Sequence, residues 1–318
     1  MKQTIKKLNY QTKFKAELVL FIVNLSFFAF VMISSIRFSP LISEGVRSAL
    51  SFCFEVILPS AFPFMILSDL MLFLLRFEKI TSLRALFSKL FKINGSAITV
   101  FLTGLISGFP IAAKLSRELY ISGKISKDEC ERLIGFSNNP SPAFVISGIG
   151  AGLLGSLKIG AFLYLISVFS SIATGIIFAR FAVCENQMEY EEIHSFSFVN
   201  SVKIATKACV NICGFITFFS VVITLFRIFI KNDLALALIS SFLEVGNASR
   251  LITSLKLEYS LLFPLLSFAI SFSGLSVHFQ SKSLLSDTDI SFNKYYIMKF
   301  ISAVISAFIS FLTLSFIF

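Results

Sequence analysis

Long apolar runs most strongly limit what this chain can fold into. Five of them are each long enough to cross the hydrocarbon core of a bilayer, which takes about 20 apolar residues in a helix. They cover residues 17–36, 46–75, 158–181, 201–230 and 294–318. With 56% hydrophobic residues and a mean hydropathy of +0.85, the chain has more apolar surface than a soluble core of this length can bury. We therefore predict an all-α, polytopic integral membrane protein.

Two stretches between these runs, at residues 95–155 and 233–285, are too interrupted to form ordinary spans. Their apolar segments are short and are separated by Gly, Pro, Asn and charged residues. In a bilayer, irregular backbone is tolerated only where protein or a water-filled cavity satisfies its N–H and C=O groups. Each stretch is therefore predicted to form a re-entrant hairpin followed by a broken helix, an architecture typical of transporters and channels.

The two interrupted stretches correspond in spacing more than in identity. Lys114 matches Arg250, and the segment around Asn138 matches the segment around Ser273. If each half runs as full helix, hairpin, broken helix and full helix, the halves cross the bilayer in opposite directions, as inverted repeats do in many secondary transporters. The predicted divisions are an N-terminal transmembrane segment and loop at 1–45, a first repeat at 46–183, an acidic connecting loop at 184–200 and a second repeat at 201–318.

The basic residues set the predicted orientation. Most of the 28 Lys and Arg residues flank apolar runs and fall on one side of the bilayer in this arrangement. Because cytoplasmic loops carry the excess of positive charge, the N-terminus is predicted to be cytoplasmic. No small-residue cleavage site follows the run at 17–36, so this run is expected to remain as a span. The net charge of +10 thus reflects membrane topology, and no nucleic-acid partner is expected.

The sequence contains no pattern of an enzyme or of a metal site. It lacks the G-x-S-x-G, Walker A and HExxH motifs, and His194 and His278 are its two histidines. The five cysteines show no CxxC spacing. We expect no enzymatic activity, no cofactor and no metal. The expected partners are the lipid bilayer, a small-molecule solute and a coupling ion, and the sequence leaves open whether the chain forms a homo-oligomer.

Motifs around the two predicted breaks give the most specific signal. The first set consists of Gly108-Phe109-Pro110, Ala113-Lys114, Glu118-Leu119-Tyr120, Glu131-Arg132-Leu133, Phe136-Ser137-Asn138-Asn139 and Pro142-Ala143-Phe144. The second set is the continuous segment from Phe272 to Gln280. Together these motifs resemble the sporulation integral membrane protein YlbJ family, and the resemblance extends over residues 40–318.

The resemblance implies a fold and a function. This family contains the gate or nucleoside-recognition domain and is distantly similar to concentrative nucleoside transporters, whose fold has two inverted hairpin-plus-broken-helix units. The implied role is that of a stage V sporulation transport protein, which moves dipicolinic acid across the outer forespore membrane of a spore-forming bacterium. The alternatives are a carrier of nucleosides or other small anionic solutes, and a non-transporting membrane scaffold for sporulation proteins.

In the first half, the candidate substrate-binding residues lie at the hairpin tip and at the break. Gly108 and Pro110 allow a tight reversal that leaves backbone amides free, and Lys114 follows with a positive charge. Asn138, Asn139 and Ser141 lie between two half-helices, where a helix N-terminus suits an anionic carboxylate. The alternative for the tip is a purely structural turn, and for the asparagines it is local capping of helix ends.

In the second half, Glu244 is the one carboxylate in the apolar part of the predicted hairpin. A charge there is costly, so Glu244 is predicted to bind a coupling ion, either a proton or Na⁺. The candidate substrate-binding residues of this half are Asn247, Arg250, Ser273, Ser276 and His278. Arg250 can instead extend its charge to the membrane interface, and a lone His is often a satisfied interior polar group.

Overall fold

The computed structural model describes residues 2–59, 62–63, 65–67, 70, 81–182 and 197–314, and all of their regular structure is helical. The first part of the chain contains α1 (Lys2–Arg37), α2 (Ser39–Phe52) with a π-helical turn (Cys53–Ile57), and α3 (Thr81–Phe91). Most of the predicted acidic loop at 184–200, and parts of the predicted run at 46–75, lie outside the described residues.

The two predicted interrupted stretches contain the same order of helices. The first has α4 (Ile98–Ser107), α5 (Ile111–Ile121), α6 (Lys127–Ser137), a π-helix (Ala143–Leu153) and α7 (Leu157–Ala179). After α8 (Phe198–Phe229), the second has α9 (Asp233–Leu243), α10 (Val245–Ser254), α11 (Tyr259–Phe272), α12 (Gly274–Leu284) and α13 (Asn293–Thr313). We call α4–α5 and α9–α10 the first and second hairpins. The first broken helix is α6 with the π-helix, and the second is α11 with α12.

Four helices among the described residues are long and apolar enough to cross a membrane, or up to six if each of two bent pairs counts as one span. The four are Leu157–Ala179, Phe198–Phe229, Tyr259–Leu284 and Asn293–Thr313, so the second broken helix is one of them. The bent pairs join Phe21–Arg37 to Ser39–Ile57 at 102° and Thr81–Phe91 to Gly95–Ser107 at 100°. These spans confirm the predicted all-α, polytopic fold.

Local sequence explains where the helices of the hairpins and breaks begin. Ser126 and Glu129 form a capping box at the start of α6, since each side chain bonds the backbone N–H of the other. Asn232 caps α9 and Ser156 caps α7 through their side-chain oxygens. At the bend between α3 and the following helix, the buried Arg132 guanidinium donates to the carbonyls of Phe91 and Lys92, 2.6 and 2.8 Å away.

The two halves pack against each other reciprocally. In the centre, α7 of the first half contacts α13 of the second. The first hairpin contacts the second broken helix through α5 and α12, and the second hairpin contacts the first broken helix through α10 and the π-helix. Likewise α6 contacts α13, while α11 contacts α7. Each hairpin is therefore held between the broken helix of its own half and that of the other half.

Candidate functional site

The tip of the first hairpin lies directly on the first break. Gly108 ends α4 with φ 78° and ψ −174°, a backbone region that is essentially restricted to glycine. A Cβ atom added to Gly108 would lie 2.6 Å from the backbone nitrogen of Ser141 and 2.9 Å from its Cβ. Only glycine therefore allows this contact, because a side chain would meet the backbone of the break. Pro110 follows in a cis peptide bond with Phe109.

The tip of the second hairpin meets the second break in the same way, with the glycine on the opposite partner. Here Glu244 occupies the tip, and Gly274 with φ 78° belongs to the break. A Cβ atom on Gly274 would lie 2.9 Å from the backbone nitrogen of Glu244 and 2.9 Å from the carbonyl of Leu243. Ser273, in the left-handed conformation with φ 71°, ends α11 at this point.

The two tips and the two breaks line one small cavity. Its volume is about 30 Å³, well below the range of about 300–1,000 Å³ that is typical of small-molecule sites. The first tip and break contribute Ser107, Gly108, Phe109, Ser141 and Phe144; the second contribute Glu244, Val245, Ser276, Val277 and Gln280; Ile57, Met65, Ile212 and Ile216 complete the wall. Four predicted site residues from distant parts of the sequence, Gly108, Ser141, Glu244 and Ser276, thus come together.

Glu244 is the one carboxylate that lines this cavity. Its side chain is buried and caps α10, accepting hydrogen bonds from the backbone nitrogens of Gly246 at 2.8 Å and Asn247 at 2.6 Å. Within the described part of the chain, no Lys or Arg side chain forms an ion pair with Glu244. The positive end of the α10 dipole and two backbone donors therefore hold a carboxyl group at the wall of the cavity.

Asn138 and His278 lie beside the cavity in a buried polar network. Asn138 Nδ2 donates to Ser281 Oγ at 2.8 Å and to the Tyr295 hydroxyl at 3.2 Å. The same hydroxyl lies 2.9 Å from Nδ1 of His278. The network joins the first break to α12 and α13, so Asn138 and His278 connect the two halves instead of lining the cavity.

Three further candidate residues make local contacts outside the cavity. Asn139 Nδ2 donates to the Phe136 carbonyl at 2.7 Å and to Ser171 Oγ of α7 at 3.0 Å. Ser273 Oγ donates to the Ile270 carbonyl at 3.1 Å. Lys114 is partly exposed and forms an ion pair with Glu118 at 3.6 Å. The bond from Asn139 to the Phe136 carbonyl is the kind of contact that the capping alternative predicts, and Lys114 does not line the cavity.

Asn247 and Arg250 line a larger cleft between α2, α8 and α10. This cleft has a volume of about 460 Å³ and also contains Ser48 and Arg227. Arg250 Nη2 donates to Ser48 Oγ at 2.5 Å, and its guanidinium lies 5.5 Å from the centre of the Phe52 ring. Since the backbone nitrogen of Asn247 also bonds Glu244, Asn247 lies between the cleft and the cavity. Arg250 therefore lines this cleft and not the cavity.

Sequence reasoning missed Gln280 and Lys299. Gln280 is buried, lines the cavity and donates from Nε2 to Ser276 Oγ at 3.2 Å, one helical turn away. Its spacing from Ser276 is the i, i+4 spacing that places both on one helix face, which was an available signal. Lys299 is buried within α13, and its ammonium donates to the backbone carbonyl of Asn138.

Ion pairs tie the α5–α6 turn to the loop between α12 and α13. Arg117 Nε donates to Asp287 at 2.9 Å, and both Tyr120 and Lys127 contact Asp289, at 2.6 and 2.9 Å. The hydrogen bond from Arg117 lowers the pKa of Asp287, and those from Tyr120 and Lys127 lower the pKa of Asp289. These carboxylates are exposed, so solvent screens their contribution to stability.

The long apolar helices, with polar groups gathered in their interior, define an integral, multi-pass membrane protein with a small internal cavity. Among the described residues, no group of three His, Cys, Asp or Glu side chains is arranged to hold a metal ion. No protein-family model and no solved structure matches the chain.

A curated relative gives this class a more specific identity. The chain is 25% identical to the sporulation integral membrane protein YlbJ of Bacillus subtilis (strain 168) over 328 aligned positions, which cover 89% of this chain and 80% of the relative. The predicted resemblance to the YlbJ family is confirmed, and the chain is an integral membrane protein similar to this sporulation protein.

Proposed function

We propose that the protein is a secondary-type carrier of small anionic solutes, with dipicolinate as its substrate in the outer forespore membrane. The observation that carries this proposal is the cavity between two hairpin tips and two helix breaks. Secondary transporters bind their substrates at such paired breaks near the middle of the bilayer. Dipicolinate and the forespore membrane follow from the family resemblance, and the cytoplasmic N-terminus follows from the distribution of basic residues.

Reciprocal packing supports two inverted repeats. The contact of α5 with α12 has its counterpart in the contact of α10 with the π-helix, and that of α6 with α13 in that of α11 with α7. Two units related by a two-fold axis contact each other through such matched pairs. In carriers built this way, alternating access arises when one unit moves against the other around a fixed site.

The lining of the cavity suits an anion at its two breaks. Ser141 and Ser276 lie at the starts of the π-helix and of α12, where helix N-termini present free N–H groups. Gln280 adds an amide donor one turn further along α12. Because the cavity volume of about 30 Å³ is far below that of a typical small-molecule site, entry of a ring with two carboxylates requires a tip to move away from its break.

Glu244 gives the carrier a way to couple substrate to protons. A carboxylate of the substrate and the carboxylate of Glu244 would repel each other in a small cavity of low dielectric, where like charges interact strongly. A proton on Glu244 removes this repulsion, so an anionic substrate is expected to bind together with a proton. Of the two predicted coupling ions, this geometry favours the proton.

Uptake into proteoliposomes tests the proposal. Purified protein should accumulate radiolabelled dipicolinate, and an acidic exterior should accelerate this uptake at equal Na⁺ on both sides. The Glu244→Gln variant should lose the acceleration by the pH gradient, because its side chain carries no titratable proton. The matched control is Glu258→Gln, since Glu258 is exposed and its side chain makes no cap hydrogen bond at the start of α11.

The alternatives predict different outcomes in the same vesicles. Uptake of a nucleoside such as uridine without uptake of dipicolinate would support the nucleoside carrier. If folded protein takes up neither solute, the carrier proposal is wrong and the scaffold alternative is favoured. Folding is checked by the thermal release of the buried free thiols of Cys53, Cys130 and Cys209 to a fluorogenic maleimide.

A further inference from the structure

Lys299 is an isolated positive charge in the interior of the protein. It lies within the membrane-spanning helix α13 with 1% of its surface exposed. No carboxylate among the described residues forms an ion pair with it. An ionisable side chain at this depth is costly and is normally paired or functional. Its ammonium must therefore be stabilised by something other than an acidic side chain.

The partner of Lys299 is the end of a half-helix. Its ammonium donates to the backbone carbonyl of Asn138, which is the C-cap residue of α6. The carbonyls at a helix C-terminus lack intrahelical partners and carry the negative end of the helix dipole. This end of α6 is buried, so the local field attracts a cation with little screening by water.

Further oxygen atoms surround this helix end. The side-chain oxygen of Asn138 is buried and has no hydrogen-bond partner. Ser281 Oγ and the Tyr295 hydroxyl lie 2.8 and 3.2 Å from the amide nitrogen of the same side chain. Uncharged backbone carbonyls, hydroxyls and amide oxygens at the C-terminus of a half-helix are the groups with which transporters coordinate a monovalent cation.

The second break has no equivalent of this charge. Lys158 and Lys294 lie at the starts of α7 and α13, and the same step along each helix that reaches Lys299 in α13 reaches Leu163 in α7. Leu163 is fully buried and apolar. The positive charge is therefore a property of the first break alone and is not required by the hairpin-and-break architecture.

We propose that the first break is a monovalent-cation site, which the protein occupies with its own Lys299 ammonium in place of a free ion. The tethered cation neutralises the negative end of α6, so this break has no need of Na⁺. Resting on the proposed carrier function, the consequence is that transport is independent of Na⁺ at the first break. The site itself can be tested without any transport.

The test empties the site and offers it free cations. In Lys299→Ala, the vacated space connects to the Asn138 carbonyl and can admit Na⁺ or a small primary amine such as propylammonium. In Lys299→Met, an unbranched apolar side chain fills most of that space and leaves no room for an ion. Lys294→Ala is the control for loss of a lysine from the same helix, since Lys294 is partly exposed and forms ion pairs with Asp128 and Glu131.

Thermal unfolding of the purified protein is followed by maleimide labelling of its buried cysteines. Each protein is measured in Na⁺, propylammonium and choline chloride at equal concentrations, choline being too large for the site. Lys299→Ala should unfold at a lower temperature than the wild type in choline, and propylammonium or Na⁺ should raise that temperature in a saturable manner. For each of the other three proteins, the unfolding temperature should not differ among the three salts. These proteins are the wild type, Lys299→Met and Lys294→Ala.

Two results would overturn the proposal. One is a Lys299→Ala protein that folds and responds equally to the three salts. The other needs no variant and is a specific stabilisation of the wild type by Na⁺ over choline, which would show that a free ion binds beside Lys299 or displaces it. If uptake assays fail while the cation response is seen, the carrier function is wrong and the cation site stands.

Discussion

Replacement of Gly108 by alanine tests the contact between the first tip and the first break. The alanine would have to adopt φ 78° and ψ −174°, which costs about 1–3 kcal/mol for a residue with a Cβ atom. Its Cβ atom would also lie 2.6 Å from the backbone nitrogen of Ser141, and such overpacking costs about 1–3 kcal/mol more. The expected loss of unfolding free energy is therefore about 2–6 kcal/mol.

Two matched glycine variants separate these contributions. Gly123 has φ 73° and no atom within 4 Å of an added Cβ, so Gly123→Ala should show the backbone cost alone. Gly214 lies within α8 with the same open space and no positive φ, so Gly214→Ala should be neutral or slightly stabilising. Gly108→Ala should also abolish dipicolinate uptake, because the tip can no longer close on the break.

Thermal unfolding in detergent, read by cysteine labelling, provides the comparison. Unfolding temperatures should fall in the order Gly214→Ala, Gly123→Ala and Gly108→Ala, with Gly108→Ala several degrees below Gly123→Ala. If Gly108→Ala unfolds at the same temperature as Gly123→Ala and retains uptake, the tip does not contact Ser141 and the reasoning is refuted.

Three other predictions concern the surroundings of the site. Tyr295→Phe removes the hydroxyl that bonds Asn138 and His278, so it should lower the unfolding free energy by about 1–3 kcal/mol, whereas Tyr296→Phe should not; thermal melts measure both. Arg132→Lys replaces a guanidinium that donates to two carbonyls at the end of α3 by an ammonium that cannot match this geometry, so α3 should become more sensitive to proteolysis. Arg117 lowers the pKa of Asp287 in the folded state, so their ion pair stabilises the fold at pH values above the unfolded-state pKa of about 3.9. This stabilisation is lost as the pH falls through the lower folded-state pKa. The unfolding temperatures of the wild type and Asp287→Asn, measured by circular dichroism, should therefore differ at pH 7 and converge in acid.

The positions of the hairpins and breaks could be predicted because their local sequences require them. Glycine, proline and paired asparagines interrupt apolar segments that are too short to span, and no packing information is needed to recognise this. Gly108 and the segment from Ser273 to Ser276 are indeed the tip and the break in the structure. Glu244 also lies at the turn between two short helices, because its carboxylate caps the second of them.

The side chains that face the cavity were harder to predict, because adjacent residues of an irregular segment point in different directions. Asn138 and Asn139 have the same side chain, yet one bonds Ser281 of the second half and the other bonds Ser171 of α7. Lys299 lies in a long apolar helix, and its role depends on the carbonyl of a residue that is far away in sequence. Such pairings arise from tertiary packing, which hydropathy and spacing do not encode.

The opposite placement of glycine at the two contacts has a consequence for the chemistry of the cavity. Where a tip touches a break, one partner must lack a side chain, and the other is then free to carry one. In the first half, the tip residue Gly108 has no side chain and the break residue Ser141 has a hydroxyl group. In the second half, the break residue Gly274 has no side chain and the tip residue Glu244 has a carboxyl group. The cavity is therefore chemically one-sided, and a solute with two different ends would be held in it in a single orientation.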